Sequence, residues 1–218
     1  MNGLFFGKRK RGKSTLSYHV ALGLGLTVSI FDTNRQFKQS PESVVSDGGD
    51  LEALLHGGSE LVIFRPGLDV RADFERFAST LWNWRDLVIL LDENSRLQGG
   101  NWLNPWLDDF IRRSDSETVH LLQTLHRPSD AANICRALAS DWFIFQTTQP
   151  ASLAAIADQC GGEVAEKVTS LGVHEYVHYN DDSETWELVT DAASWFESLE
   201  APAFPIGRES FEGEVFHA

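Results

Sequence analysis

Short apolar runs recur along the chain, separated by longer segments in which apolar residues return every three or four positions. A continuous run is typical of a buried β-strand, and the longer spacing is typical of one helix face. The helical spacing is clearest between residues 70 and 84, at Phe74, Phe77, Ala78, Leu81 and Trp84. The runs that predict strands cover residues 4–6, 26–31, 61–64, 87–91, 119–124 and 142–146.

Because these strands alternate with helical segments, the sequence predicts an α/β fold, with a mainly parallel sheet flanked by helices on both faces. Segments 174–179 and 185–189 enclose an Asn-Asp-Asp turn and predict a C-terminal β-hairpin. We therefore expect one domain over residues 1–190 and a tail over residues 191–218. The tail is either a disordered end or an arm that lays its aromatic residues on a neighbouring subunit.

Residues 7–15 read Gly-Lys-Arg-Lys-Arg-Gly-Lys-Ser-Thr and fill every fixed position of the pattern G-x-x-x-x-G-K-[ST]. They follow the first apolar run directly, so the pattern lies where a buried strand turns into a helix. Backbone N–H groups of such a turn bind phosphate oxygens; the alternative is an accidental match in a basic turn. The residues expected to bind nucleotide are Gly7, Lys8, Arg9, Lys10, Arg11, Gly12, Lys13, Ser14 and Thr15.

Two side chains of this motif have specific expected roles. Lys13 would reach the β- and γ-phosphates, and the Ser14 hydroxyl would hold Mg²⁺. The chain contains no Asn-Lys-x-Asp segment that would read guanine, which favours ATP over GTP. The side chains of residues 8–11 are expected to point away from the nucleotide, toward solvent or a subunit interface. The sequence thus predicts ATP and Mg²⁺ as ligands.

An acidic pair, Asp92 and Glu93, follows the five apolar residues at 87–91. The run predicts a buried parallel strand whose tip reaches the edge of the sheet where the phosphate loop lies. Asp92 would bind Mg²⁺ through water, opposite Ser14, and Glu93 would act as a general base toward the attacking water. The alternative is that one carboxylate only caps the following helix.

Composition narrows the possible partners. The net charge of −14 argues against a nucleic-acid-binding surface over the whole molecule, although a ring of subunits can gather a few arginines around one axis. No segment approaches the roughly 18 consecutive apolar residues of a membrane span. Cys135 and Cys160 match no metal-binding spacing and are expected to be buried core residues in a reducing setting.

Several segments together carry a family resemblance. Residues 123–129, Gln-Thr-Leu-His-Arg-Pro-Ser, taken with residues 7–15, 32–37 and the acidic pair, resemble the FtsK/HerA superfamily of DNA-pumping ATPases. The similarity spans about residues 3–180. Because the phosphate loop begins at residue 7 and no membrane span follows, the chain is most similar to the genome-packaging ATPases of tailless, membrane-containing icosahedral viruses.

The resemblance implies further residue roles. Strand 119–124 would lie between the strands that carry the phosphate loop and the acidic pair. The sensor of the γ-phosphate would be His126, with Gln123 as the alternative. Arg127 would be an arginine finger for the adjacent subunit, or else pair with a carboxylate such as Asp130. The next candidate for the finger is Arg136, and the candidates for DNA contact are Arg96, Arg112, Arg113 and Arg136.

The function implied by the resemblance is an ATP-dependent motor that moves double-stranded DNA into a viral capsid. It would act as a homo-oligomeric ring, expected to be a hexamer, with capsid-vertex or membrane proteins as partners, in the virion or the host cytoplasm. Two alternatives stay open: a phage assembly or secretion ATPase similar to zonula occludens toxin, and a nucleotide switch with little hydrolysis.

Overall fold

The computed structural model of the chain describes residues 1–38, 43–99, 102–116, 119–190 and 215–217. The helices are α1 Lys13–Gly23, α2 Gly48–His56, α3 Val70–Leu81, α4 Pro105–Ser116, α5 Asn133–Ala137, α6 Pro150–Cys160 and α7 Gly162–Lys167. The strands are β1 Asn2–Phe6, β2 Thr27–Asp32, β3 Val44–Val45, β4 Leu61–Phe64, β5 Leu87–Asp92, β6 Gln98–Gly99, β7 Trp102–Leu103, β8 Val119–Thr124, β9 Asp141–Phe145, β10 Tyr176–Asn180, β11 Thr185–Val189 and β12 Val215–His217.

One large sheet organises the domain. Its strand order within the described ranges is β12-β11-β10-β9-β1-β8-β5-β2-β4-β3, and the seven strands from β9 to β3 run parallel. Strand β8 lies between β1 and β5, so Phe5 pairs with Thr124 and Leu91 pairs with Gln123. The α/β prediction is confirmed, and β8 occupies the place that the family resemblance implied.

Two apolar clusters cover the two faces of the sheet. On one face, α1 packs through Leu16 and Ala21 against β1, β2, β5 and β8. On the other face, the larger cluster contains residues of α2 through α7, such as Phe74 and Phe77 of α3. Each fully buried leucine or phenylalanine contributes roughly 1.5–3 kcal/mol to stability. The face covered by α1 matters for function, because the acidic pair and the phosphate loop meet beside the start of this helix.

The C-terminal part extends the sheet with antiparallel strands. Strand β10 pairs with β9 and with β11, which confirms the predicted hairpin, and β12 pairs with β11. The remainder of the tail, and with it the expected arm, lies outside the described residues.

A small hairpin is formed by β6 and β7, which the apolar runs of the sequence did not predict. Strands β6 and β7 pair antiparallel, and the backbone N–H of Asn104 donates to the carbonyl of Leu97 at 2.9 Å. Two-residue strands carry too few residues to show a period of two, so the sequence pattern did not reveal them. Within the described ranges, no helix has the length and apolar character that crossing a membrane requires.

Candidate active site

Two glycines shape the turn between β1 and α1. Gly7 has φ of 140°, and a Cβ added there would lie 2.6 Å from Cβ of Phe145. Gly12 has φ of 104° directly before the first residue of α1. Both positions favour glycine because this backbone region strains other residues, and at Gly7 the approach to β9 also leaves no room for a Cβ. The predicted strand, turn and helix are therefore present at residues 2–23.

The Lys13 ammonium lies over this turn. Its Nζ donates to the carbonyls of Gly7 at 2.9 Å and Lys8 at 3.0 Å, and the residue is 6% exposed. Burial lowers the pKa of Lys13, the Glu93 and Asp92 carboxylates oppose this shift, and the Arg9 charge adds to it. The ammonium is thus held at the mouth of the loop, where a phosphate group would meet it.

Asp92 at the tip of β5 connects this strand with helix α1 and strand β8. Its Oδ1 accepts from the Ser14 hydroxyl at 2.7 Å and from the Thr124 hydroxyl at 2.9 Å. The residue is fully buried, and burial raises its pKa to about 6 despite these two hydrogen bonds. Its second oxygen, Oδ2, is buried and has no hydrogen-bond partner among the described residues.

These features fit a hydrated Mg²⁺ ion. A buried carboxylate oxygen without a donor, next to a serine hydroxyl, offers hard oxygen ligands, and a cation there would favour the charged form of the carboxyl group. No group of three or more His, Cys, Asp or Glu side chains suited to a metal occurs within the described part of the chain. Mg²⁺ needs no such cage, since it commonly takes one or two protein ligands together with substrate phosphates and water.

Glu93 stands at the end of β5 in a left-handed backbone conformation, with φ of 50°. Its backbone N–H donates to the Thr124 hydroxyl at 2.8 Å, and its Oε1 lies 2.9 Å from Nε2 of His126. Nε of Arg9 also lies 3.4 Å from that ring nitrogen. One nitrogen cannot donate to Glu93 and accept from Arg9 at once, so the shorter contact is the hydrogen bond, and Arg9 lies beside it.

A cavity of about 480 Å³ opens at this edge of the sheet. Three of its lining residues are cations and one is a carboxylate, a balance that suits a triphosphate in a protein of strongly negative net charge. The lining consists of Arg9, Lys10, Gly12, Lys13, Ser14, Thr15, Asn34, Gln36 and Glu93. Arg9 and Lys10 thus line the cavity, whereas the sequence predicted that the side chains of residues 8–11 point away from the nucleotide; that direction stays a prediction.

The other two basic residues of the loop behave differently. Lys8 is exposed, and its backbone N–H donates to the carbonyl of Gln146 at 3.3 Å. Arg11 donates to the side-chain carbonyl of the same glutamine. These contacts attach the loop to the end of β9.

The two sensor candidates occupy different environments. His126 contacts Glu93, as described above. Gln123 is fully buried, and its side-chain oxygen accepts from Asn94 at 2.7 Å and from Gln98 at 2.9 Å. Gln123 thus holds the segment after Glu93 through its hydrogen bonds to Asn94 and Gln98. Of the two candidates, His126 is the one in contact with the acidic pair. The sensor role itself stays a prediction.

The arginines predicted as finger or DNA contacts differ in their exposure and in their side-chain partners. The side chain of Arg127 is 50% exposed and pairs with Asp130 at 3.6 Å, the alternative that the sequence left open. Arg136 donates to Asn133, and Arg96 is exposed. Arg113 is buried, with its guanidinium 4.4 Å from the Trp82 ring. Its candidacy for DNA contact is therefore wrong, because it secures α4 to the end of α3 instead.

Two further residues at this edge, Thr124 and Asp32, were given no role in the sequence analysis. Thr124 connects Asp92 with the backbone of Glu93, as given above. Asp32, buried at the tip of β2, accepts from the backbone N–H of Gln36 at 2.8 Å and shapes the loop that brings Asn34 and Gln36 to the cavity. The sequence feature that could have identified Thr124 and Asp32 is a polar residue at the end of an apolar strand. This feature indicates a site only when the strand order is known.

No protein-family model matches the chain, and no curated protein matches it. Among solved structures, the chain is similar to the genome-packaging NTPase B204 from Sulfolobus turreted icosahedral virus 2 in complex with AMPPCP, with a TM-score of 0.71 and 20% identity, covering 85% of this chain and 95% of that one. B204, the DNA-packaging ATPase from Sulfolobus turreted icosahedral virus, gives a TM-score of 0.67 and 21% identity, covering 86% and 98%.

A third similar structure is EssC (ATPases 2 and 3) from Geobacillus thermodenitrificans, with a TM-score of 0.51 and 13% identity, covering 83% of this chain and 37% of that one. Identities of this size establish a common fold. The chain therefore has a P-loop NTPase fold, similar to that of viral genome-packaging NTPases.

Proposed function

We propose that this protein hydrolyses ATP at the edge of the sheet where β1, β8, β5 and β2 end. The observation that carries this proposal is the contact between Ser14 and Asp92. The second Asp92 oxygen has no hydrogen-bond partner among the described residues, and Glu93 is next in the chain. The phosphate loop supplies backbone N–H groups and the Lys13 ammonium for the phosphates. Glu93 has its carboxylate at the cavity, within reach of a water molecule beside a bound γ-phosphate.

The reaction is a phosphoryl transfer to water. The water oxygen forms a bond to the γ-phosphorus as the bond from that phosphorus to the β,γ-bridging oxygen breaks, and ADP keeps the electron pair. Glu93 takes the proton from water, and His126 orients the Glu93 carboxylate through the 2.9 Å contact. The products are ADP and inorganic phosphate.

Ser14 and Asp92 would hold Mg²⁺, Ser14 directly and Asp92 through water. When bound, the metal neutralises charge on the β- and γ-phosphates. Thr124 keeps Asp92 in place, and Lys13 moves from the loop carbonyls to the phosphate oxygens when nucleotide enters.

We further propose that hydrolysis drives movement of double-stranded DNA through a homo-oligomeric ring during packaging of a viral genome. The likeness to the genome-packaging NTPase B204 supports this, since the match covers 85% of this chain and 95% of B204. Among the candidates for DNA contact, Arg96 is exposed and is the one nearest to Glu93 along the chain.

The test measures ATP hydrolysis with and without duplex DNA, and the particle mass with a non-hydrolysable ATP analogue. We expect Mg²⁺-dependent turnover that duplex DNA stimulates, in particles of several subunits. Lys13→Ala serves as the control without phosphate binding. Turnover that only single strands or no nucleic acid stimulate would contradict packaging of duplex DNA, and a strictly monomeric protein would contradict the ring. Absence of turnover under all conditions would leave the nucleotide switch.

A further inference from the structure

Arg9 differs from the other basic residues of the phosphate loop in what it faces. Lys8 and Arg9 are both exposed, and the Arg11 side chain donates to the side chain of Gln146, directly after β9. Lys10 has a left-handed backbone with φ of 58° and is a lining residue of the cavity. Arg9 alone of the four contacts the residue that holds Glu93, since its Nε lies 3.4 Å from His126 Nε2.

The surroundings of Arg9 contain the groups that act on the terminal phosphate. Lys13, Ser14 and Glu93 line the same cavity. A γ-phosphate bound between Lys13 and Glu93 would therefore lie within reach of the Arg9 guanidinium.

The arginine that the sequence favoured as a finger lies differently. Arg127 is half exposed and pairs with Asp130, outside the cavity lining. An arginine that stabilises the transition state must present N–H donors to the equatorial oxygens of the transferring phosphoryl group. Within the described residues of one subunit, Arg9 is the arginine that lines the cavity.

We propose that Arg9 stabilises the transferring phosphoryl group of the ATP bound to its own subunit. The inference rests on the proposed hydrolysis and adds a cation supplied in cis by the phosphate loop. On binding, the guanidinium leaves the side of the His126 ring and donates to γ-phosphate oxygens, while His126 keeps its hydrogen bond to Glu93. Arg9 neither gains nor loses a proton.

The first experiment compares Arg9→Ala with the parent under saturating Mg·ATP. We expect kcat to fall by about 10²- to 10³-fold, with KM changed less than about threefold, because the contact forms mainly in the transition state. Binding of ADP with aluminium fluoride should weaken about as much as kcat falls, whereas binding of ADP alone should stay within about threefold. Arg9→Lys should recover part of the lost kcat, since it restores the charge without the fork of donors.

Arg76→Ala is the matched control, because Arg76 is an exposed arginine on α3 whose side chain pairs with Asp73, away from the cavity. Its kcat should stay within about twofold of the parent. If Arg9→Ala keeps kcat within twofold while remaining folded, the proposal is overturned.

The second experiment distinguishes cis from trans action by mixing Arg9→Ala subunits with Glu93→Gln subunits. If Arg9 serves its own site, every site lacks one essential group and the mixture stays inactive. Recovery of activity on mixing would show that Arg9 serves a neighbour and would overturn the proposal. Full turnover by Glu93→Gln alone would instead remove the proposed hydrolytic mechanism, which separates failure of that mechanism from failure of the role of Arg9.

Discussion

Two buried aspartates on the α1 face of the same sheet have opposite environments. Asp92 at the tip of β5 has one oxygen with two hydroxyl donors and one without a partner among the described residues, and its pKa is raised. Asp141 in β9 is also buried, but its Oδ1 accepts from His178 at 2.9 Å and Asn180 at 3.1 Å, and its Oδ2 accepts from Ser140 at 2.7 Å. Burial opposes ionisation there too, yet these hydrogen bonds lower the pKa of Asp141.

The difference separates a structural carboxylate from one kept for a ligand. His178 lies between Asp141 and Glu187, at 2.9 and 3.1 Å, and ties β9, β10 and β11 together. Asp92 has no positively charged side chain at hydrogen-bond distance within the described structure, so its charge is left to be balanced by a bound cation. A buried group left without its full set of partners costs stability, and proteins retain such groups where function needs them.

The largest expected effect is on kcat and comes from substituting Glu93, the proposed base of the acidic pair. Glu93→Gln removes the base that accepts the proton of water, so kcat should fall by about 10²- to 10⁴-fold while ATP still binds. Single-turnover kinetics and equilibrium nucleotide binding would measure the two effects. Glu187→Gln, which changes a carboxylate in the structural cluster, should leave kcat within about twofold; an equal loss there would contradict the division between the two regions.

The next effect is on stability, and it should have opposite signs in the two regions. Asp92→Asn removes a buried charge and should stabilise the nucleotide-free protein at pH 7.5 by roughly 1–3 kcal/mol, while turnover is lost. Asp141→Asn removes a satisfied charge and should destabilise by a similar roughly 1–3 kcal/mol, with kcat preserved. Urea unfolding of both variants measures this. If both variants are destabilised, the Asp92 carboxylate is stabilised by its surroundings as the Asp141 carboxylate is, which would contradict the difference between the two sites.

A smaller effect is expected from Thr124, which supports the acidic pair without being charged. Thr124→Val keeps the shape but deletes the hydroxyl that bonds Asp92 and accepts from the backbone of Glu93. We expect kcat to fall about tenfold and stability to fall by about 1 kcal/mol. Thr124→Ser should recover most of the rate, and failure of serine to do so would mean that packing of the methyl group matters more than the hydrogen bonds.

The smallest effect is a pH dependence of stability in the structural cluster. Burial alone would lower the pKa of His178, but its hydrogen bonds to Asp141 and Glu187 raise it above 6.5. Its contribution is therefore fully present below pH 6.5 and is lost as pH rises through the higher value of the folded state. His178→Gln should flatten the stability profile above pH 6.5 by roughly 1 kcal/mol, measured by urea unfolding between pH 6 and 9.

At acid pH, the stability profile should depend on Asp141. The lowered pKa of Asp141 means that its contribution is present above pH 3.8 and is lost as pH falls through the lower folded value. In Asp141→Asn, the loss of unfolding free energy at acid pH should therefore be smaller than in the parent. An unchanged loss at acid pH would mean that other carboxylates dominate it.

Much of the nucleotide-binding edge was predictable from sequence because its parts are local. Gly7, Gly12 and Lys13 fall within one turn whose backbone conformation and contacts are set by neighbouring residues. The tip of β5 was also predictable, since a run of five apolar residues ending in two carboxylates has few other structural interpretations. The hairpin of β10 and β11 followed from alternation around a turn.

The sequence by itself determined the longer strands of the sheet, where the phosphate loop lies and that an acidic pair ends a buried strand. Only the tertiary structure decided that Thr124 joins this pair, that Arg9 faces the cavity while Arg113 packs on Trp82, and that Asp92 and Asp141 differ in their partners. The physical reason is that strand order and side-chain direction depend on packing between segments far apart in the chain, which local pattern does not encode.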